Sequence, residues 1–322
     1  MDVHQRRMAG AGTSSFLEEV AGVWGEPWGA WDEVGVLRRV LVRAPGPELE
    51  LIRREAWSEE DGALVDPDGR WYWTSREPPR LELVASQHAG LVETLRGEGI
   101  EVVELPPMGG GFVKSMYVRD PLITVPGGAV ILRMGVAMRR GEEPEITRRV
   151  AALGIPILAT LVGSATAEGG SFVKLGHGQA AFGISIRCNP EGARQLQDVL
   201  ARIGIELIVV PLPGYTIHLD LHLAMLDVDK ALVNPAGLPY TFLQNLDALG
   251  IETIAAHPDE PWGINALCLR PGRVLMAAGA PRTVERLQAR GIEVLTTPYD
   301  EIHHNGGGVH CSTMELIRDR AA

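Results

Sequence analysis

Cys311 sits in the run His304-Asn305-Gly306-Gly307-Gly308-Val309-His310-Cys311-Ser312-Thr313. Three glycines there let the backbone come close to a ligand and set the thiol at a turn rather than inside an apolar stretch. Such a thiol is a nucleophile candidate if a histidine and a carboxylate reach it from elsewhere in the chain, since the thiolate needs stabilisation and a leaving group needs a proton. The other cysteines read differently. Cys188 ends a strand, and Cys268, within Ala266-Leu267-Cys268-Leu269, reads as a small buried hydrophobe.

A histidine and a carboxylate stand together in Thr216-Ile217-His218-Leu219-Asp220-Leu221-His222-Leu223. The alternation predicts a strand with Ile217, Leu219, Leu221 and Leu223 on one face and His218, Asp220 and His222 on the other. Three readings of the polar face stay open: solvated residues, a metal site built on two imidazoles and a carboxylate, or an acid–base residue beside a carboxylate that binds substrate. His177, His303, His304 and His310 are further ligand candidates for the metal reading.

The elements that must position these residues repeat. Gly-Ile-Glu or Gly-Ile-Pro recurs at Gly99, Gly154, Gly204, Gly250 and Gly291, at spacings of 55, 50, 46 and 41 residues. Each copy follows a helical pattern and precedes an apolar run, so each reads as a helix C-terminal glycine passing into a strand. Helices are predicted near 81–98, 143–153, 190–203, 239–249 and 281–290. Between 14 and 21 positions after each glycine comes a polar residue: Asp120, Glu168, His218, Asn265 and Cys311. Units arranged around an axis would bring all five to one pocket.

Residues 1–30 read as a flexible N-terminal arm with at most one short helix, and residues 31–322 as a single α/β domain. The strand at 36–43 is placed to join the last unit. The tryptophan-bearing stretch 46–80 reads as a surface loop, either an ordinary insertion that packs its tryptophans or a cover over the pocket.

Composition limits the partners. A net charge of -11 argues against nucleic acid or an anionic membrane. Three cysteines without CxxC spacing imply neither a disulfide framework nor a zinc ribbon, which fits a reducing cytoplasm. The N-terminus lacks a secretory core, and no apolar run reaches the length of about 18 residues that a membrane span needs. The triple-glycine stretches lack the spacing of a phosphate loop, so no nucleotide cofactor is expected.

Taken in order, the motifs resemble the guanidine-modifying, or pentein, superfamily, which includes arginine deiminase, dimethylarginine dimethylaminohydrolase and the amidinotransferases. The resemblance runs from about residue 36 to 317. Tyr117-Val118-Arg119-Asp120-Pro121, Glu168-Gly169-Gly170, His218-Leu219-Asp220 and Gly308-Val309-His310-Cys311 carry it. It implies a five-bladed α/β propeller of pseudo-fivefold ββαβ units. It also implies a catalytic set of Cys311, His218 and Glu168, with Asp120 and Asp220 gripping a guanidinium and no cofactor or metal. Arg139 and Arg187, each 19 residues after a motif acid, match the family's clamp for a substrate α-carboxylate.

Two departures stand out. Ser171 follows Glu168-Gly169-Gly170 where the family often has Asp, and Lys114 occupies a substrate-contact position common to Asn or Asp. The expected substrate is a small guanidino amino acid, arginine or an N-substituted arginine, that is hydrolysed. Amidino transfer to an amine is the alternative, and a metal-dependent hydrolase or a non-catalytic binding propeller are readings from other classes. A homo-oligomer is compatible with the sequence.

Overall fold

The computed structural model of the chain describes residues 2–8 and 14–321. All five repeated glycines take a left-handed conformation, with φ from 75° to 81°. Each closes a helix the same way. At the first, the Gly99 amide donates to the Arg96 carbonyl and the Ile100 amide reaches back to the Leu95 carbonyl, a Schellman closure. The same isoleucine bond recurs at Ile155, Ile205, Ile251 and Ile292, and all five isoleucines are buried. The tripeptide is therefore a stop signal whose second residue anchors the turn in the core.

The helices run Leu81–Gly97, Glu142–Ala152, Pro190–Ala201, Tyr240–Ala248 and Pro281–Gln288, within two residues of their predicted limits. Local chemistry sets their starts; at Pro190–Ala201, Asn189 caps the helix by accepting the Gly192 amide, and Pro190 supplies a preset φ at the first position. Each helix joins the second and third strands of a three-stranded sheet. In every such unit the first pair of strands is antiparallel and the second parallel, which gives ββαβ.

Four units are continuous. Their strands are Leu122–Val125, Gly128–Ile131 and Ile157–Thr160; Phe172–Gly176, Gln179–Ile184 and Glu206–Pro211; Leu223–Asp227, Lys230–Val233 and Glu252–Ala255; and Leu267–Arg270, Arg273–Ala277 and Glu293–Thr297. The fifth draws on both ends of the chain. Strand Leu37–Arg43 joins the last unit as expected, pairing antiparallel with Met314–Arg318, and it also pairs parallel with Glu101–Leu105. The architecture is α/β, and among the described residues no sheet closes on itself.

Three expectations are corrected. Residues 46–80 are not simply a surface loop: strands Trp57–Ser58, Ala63–Val65 and Tyr72–Trp73 form a sixth small sheet, with Trp71 and Trp73 buried in the core. The N-terminal segment carries two helices, Val3–Met8 and Phe16–Trp24, rather than one at most. The expected arm also ends early, because Trp28 and Ala30 are buried and the Gly29 amide donates to the Leu316 carbonyl at 2.8 Å; residues 1 and 9–13 of it lie outside the described residues.

The third correction concerns residues 216–223, which are not a strand. Leu219–Leu221 is a single 3-10 turn, closed by the His222 amide on the Leu219 carbonyl at 2.8 Å, and the strand begins only at Leu223. Polar–apolar alternation arises here because the chain dips into the pocket, burying Leu219 on one side and His218 and Asp220 on the other. His222 turns away, packs against Gly237 and lines a separate cavity. The strand face proposed for metal binding does not form.

Candidate active site

The five polar residues occupy equivalent places. Asp120, Glu168, His218, Asn265 and Cys311 each lie two to five residues before the first strand of a unit. Asp120, His218 and Cys311 line one small pocket, together with Tyr72, Lys114, Arg139 and Arg187. Glu168, Asp220 and Asn265 stand directly behind these side chains, at the hydrogen-bond distances that follow.

His218 is held between two acids. Its Nε2 is 2.7 Å from Glu168 Oε2, and its Nδ1 is 3.7 Å from Asp120 Oδ1. Burial works against the imidazolium, but the charge of Asp120, the hydrogen bond and charge of Glu168 and the charge of Asp220 together raise the His218 pKa. Burial also opposes the Glu168 carboxylate, yet His218, Arg187 and Arg139 bring it down to about 2. The motif glycines make this fit possible: a Cβ on Gly170 would stand 2.5 Å from His218 Nδ1, and one on Gly169 would stand 2.0 Å from the Arg119 carbonyl oxygen.

Cys311 is buried at the foot of the pocket. Its Sγ lies 3.4 Å from Asp220 Oδ2 and 3.2 Å from the Asn265 amide nitrogen. Burial pushes the thiol well above its ordinary range, and the charges of Asp220 and Asp120 push further, against smaller help from Gly308 and Asn265. The surroundings therefore favour the neutral thiol and the charged imidazole. Asn265 does more than complete a pattern, because its Oδ1 accepts the amides of His310 at 2.9 Å and Cys311 at 3.3 Å and so shapes the turn that carries the thiol. A Cβ on Gly308 would collide with that oxygen at 2.4 Å.

The cations divide into two kinds. Arg139 is fully engaged: Nε and Nη2 each donate to Glu142 at 2.7 Å, Nη2 also donates to the Tyr117 carbonyl at 2.8 Å, and Nη1 pairs with Asp120 Oδ2. Arg187 donates to Glu168 at 3.2 Å and keeps the rest of its guanidinium at the pocket wall. Lys114 donates to the carbonyls of Tyr72, at 2.8 Å, and Asn305, with its Nζ 3.3 Å from the Tyr72 ring centroid. Burial lowers its pKa well below the ordinary value, helped by Arg187 and Arg139.

Cys311, His218, Glu168, Asp120, Asp220, Arg139, Arg187 and Lys114 are thus gathered here, although Arg139 is turned onto Asp120 instead of standing open, whereas His177, His222, His303 and His304, the candidates of the metal reading, line other cavities. The contributions of Glu142 and Tyr72 had not been foreseen, and His310, named only as a metal-ligand candidate, instead meets Asp220 Oδ2 at 2.9 Å. His310 had a readable signal in its place beside Cys311, whereas Tyr72 sits in an insertion that breaks the repeat. Asp120, Glu168 and His218 place ligand atoms within 4.8 Å of one another, near enough to share a cation. The outward oxygens of both carboxylates are already held by Arg139 and Arg187. Among the described residues no helix is long and apolar enough to cross a membrane.

A thiol, an imidazole and clustered carboxylates at the strand entrances of repeated ββαβ units define a pentein, the class that modifies guanidines. Comparison with known proteins gives the family: the arginine deiminase family model matches residues 113–250 and 245–318, and the chain belongs to that family. It is similar to N(G),N(G)-dimethylarginine dimethylaminohydrolase of Pseudomonas aeruginosa, at 29% identity over 238 residues, which covers 74% of this chain and 90% of that one. The enzyme of that name from Streptomyces coelicolor is 26% identical over 279 residues, 87% of this chain and 97% of its own. Among solved structures, the Pseudomonas enzyme complexed with citrulline superposes with a TM-score of 0.71 at 24% identity, covering 88% of this chain and all of that one. An amidinotransferase of saxitoxin biosynthesis from Microseira wollei has the same fold, with a TM-score of 0.70 at 18% identity over 92% of this chain and 99% of its own.

Proposed function

We propose that the chain hydrolyses the guanidinium C–N bond of arginine or an N-substituted arginine through a covalent thiouronium on Cys311, giving a citrulline-type product and ammonia or an amine. The observation that carries this reading is the meeting of Cys311, His218, Glu168, Asp120 and Asp220 around one pocket. The dimethylarginine-hydrolysing relatives support it. We read the five units as the blades of a five-bladed α/β propeller, with their strand entrances turned to that pocket.

In this reading a guanidinium N–H binds Asp220, and the guanidinium carbon comes to rest beside Cys311 Sγ. The bound cation offsets the acid charges that keep the thiol protonated, so as substrate binds the Sγ–H bond breaks, its proton passes to solvent water and the thiolate forms. Sulfur adds to the carbon, and the bond to the departing nitrogen breaks as His218 delivers its proton. Neutral His218 then takes a proton from a water molecule whose oxygen adds to the same carbon. The C–S bond breaks, the remaining water proton returns to sulfur, and a urea-type carbonyl remains. General acid–base assistance of this kind contributes roughly 10²–10⁴-fold.

At the other end of the substrate, Arg187 retains donors for an α-carboxylate and Lys114 lies within the same wall, whereas Arg139 supports Asp120. The test is mass spectrometry of the protein incubated with a panel of guanidines, including arginine, methylated arginines and agmatine. The expected result is an adduct on Cys311, absent in Cys311→Ser, together with a urea-type product. Adducts confined to other residues would end the proposal. The amidinotransferase of the same fold keeps one other outcome in view: a new guanidine on an added amine would reassign the second half-reaction to transfer.

A further inference from the structure

Asp120 and Glu168 have both oxygens occupied. Asp120 Oδ1 accepts the Gly170 amide and Oδ2 pairs with Arg139, while Glu168 Oε1 accepts the Gly135 amide and Oε2 meets His218 and Arg187. Asp220 differs. Its Oδ2 lies 2.9 Å from His310 Nδ1, beside the sulfur, but its Oδ1 is buried with no hydrogen-bond partner. A buried carboxylate oxygen left unpaired is costly, which makes this atom the natural acceptor for a cationic N–H.

A carboxylate free to rotate would present that oxygen in no fixed direction. His310 removes the freedom, and it is fixed in turn: its amide donates to Asn265 Oδ1 and its carbonyl accepts Arg119 Nε at 3.0 Å. We propose that His310 is a positioning residue that holds Asp220 Oδ2 on the nucleophile side and thereby offers Oδ1 to the guanidinium. The inference rests on the guanidine reading of the site. The titratable and charged groups around Asp220 are His310, Cys311, His218 and Arg119; burial raises the carboxyl, but the His310 hydrogen bond and the charges of His218 and Arg119 hold it below its ordinary value, ready to receive a cation.

The experiment compares His310→Asn, whose side-chain amide can replace Nδ1, with His310→Gln and His310→Ala, which cannot hold Asp220 in the same place. Expected is a rise in KM for the guanidine of about tenfold in His310→Ala and His310→Gln, with a smaller fall in kcat and with most of the KM recovered in His310→Asn. A role in stability alone would lower the melting temperature and leave KM unchanged. If His310→Ala does not fold, the Asn and Gln pair decides. KM values within twofold of the parent, or equal in the Asn and Gln variants, would overturn the assignment.

If the parent protein turns over no guanidine, the function proposed above has failed, and His310 is then read without substrate through the rate at which iodoacetamide alkylates Cys311. Loosening Asp220 beside the thiol should change that rate at least threefold in His310→Gln and leave it near the parent value in His310→Asn. Equal rates in all three proteins would overturn the positioning role.

Discussion

His218 meets Glu168 on one side and Asp120 on the other, and this fixes the direction of its pH response. Because folding raises its pKa, the protonated imidazole stabilises the folded chain fully below the unfolded value of about 6.5, and the contribution is lost as pH rises through the folded value. Turnover should decline over the same alkaline stretch, since the leaving nitrogen then finds no proton; a kcat–pH profile checks this, and a kcat still rising there would contradict it. The thiol behaves in the opposite sense. Without substrate, Cys311 should alkylate slowly at pH 7 and speed up above pH 9, because burial and two carboxylates hold its proton on. Arg187→Ala should raise KM for a guanidino acid about tenfold and leave KM for agmatine, which lacks the carboxylate, nearly unchanged.

Glycines govern the elements that deliver these side chains. Gly170→Ala should lower kcat by about 10²-fold with little change in melting temperature, because its methyl would displace the His218 ring from 2.5 Å away. Gly204→Ala is the converse case: no atom lies within 4 Å of the added methyl, but φ is +75°, so it should cost about 1 kcal/mol of stability and leave kcat intact, as denaturant melts and kinetics together would reveal. What the chain made legible follows this division. Gly99, Gly154, Gly204, Gly250 and Gly291 exposed the helix ends because their conformation is set locally, and Cys311, His218 and Glu168 were readable because their chemistry is rare and ordered. Residues 216–223 misled because alternation serves a dip into a pocket as well as a strand. The small sheet at 57–73 escaped notice because its strands are two or three residues long, too short to show an alternation, and the Arg139–Asp120 pair because a spacing does not say which neighbour a guanidinium turns toward.

Across the whole molecule, a buried ionic cluster lies beneath the site. Arg119 Nη2 donates to Glu315 at 2.8 Å, Lys174 pairs with Glu315 and also with Glu33 at 3.0 Å, and Arg119 Nε holds the carbonyls of His310 and Thr313. These residues come from the strand entrances, from strands of two units and from the segment before Leu37–Arg43. Glu315→Gln should destabilise the fold by about 3–5 kcal/mol, since it leaves the buried Arg119 without its paired carboxylate and Lys174 with Glu33 alone; chemical denaturation measures this, and a loss below 1 kcal/mol would show that the cluster relaxes.

The unit stitched together from remote stretches also sets a timetable. A ribosome makes Leu37–Arg43 long before Met314–Arg318, so that strand waits with one edge unmatched while the four intervening units emerge and fold. Cys311 belongs to the late-arriving stretch. On the function proposed above, the sulfur would therefore join its carboxylate and imidazole neighbours last, and a half-made chain would lack the nucleophile.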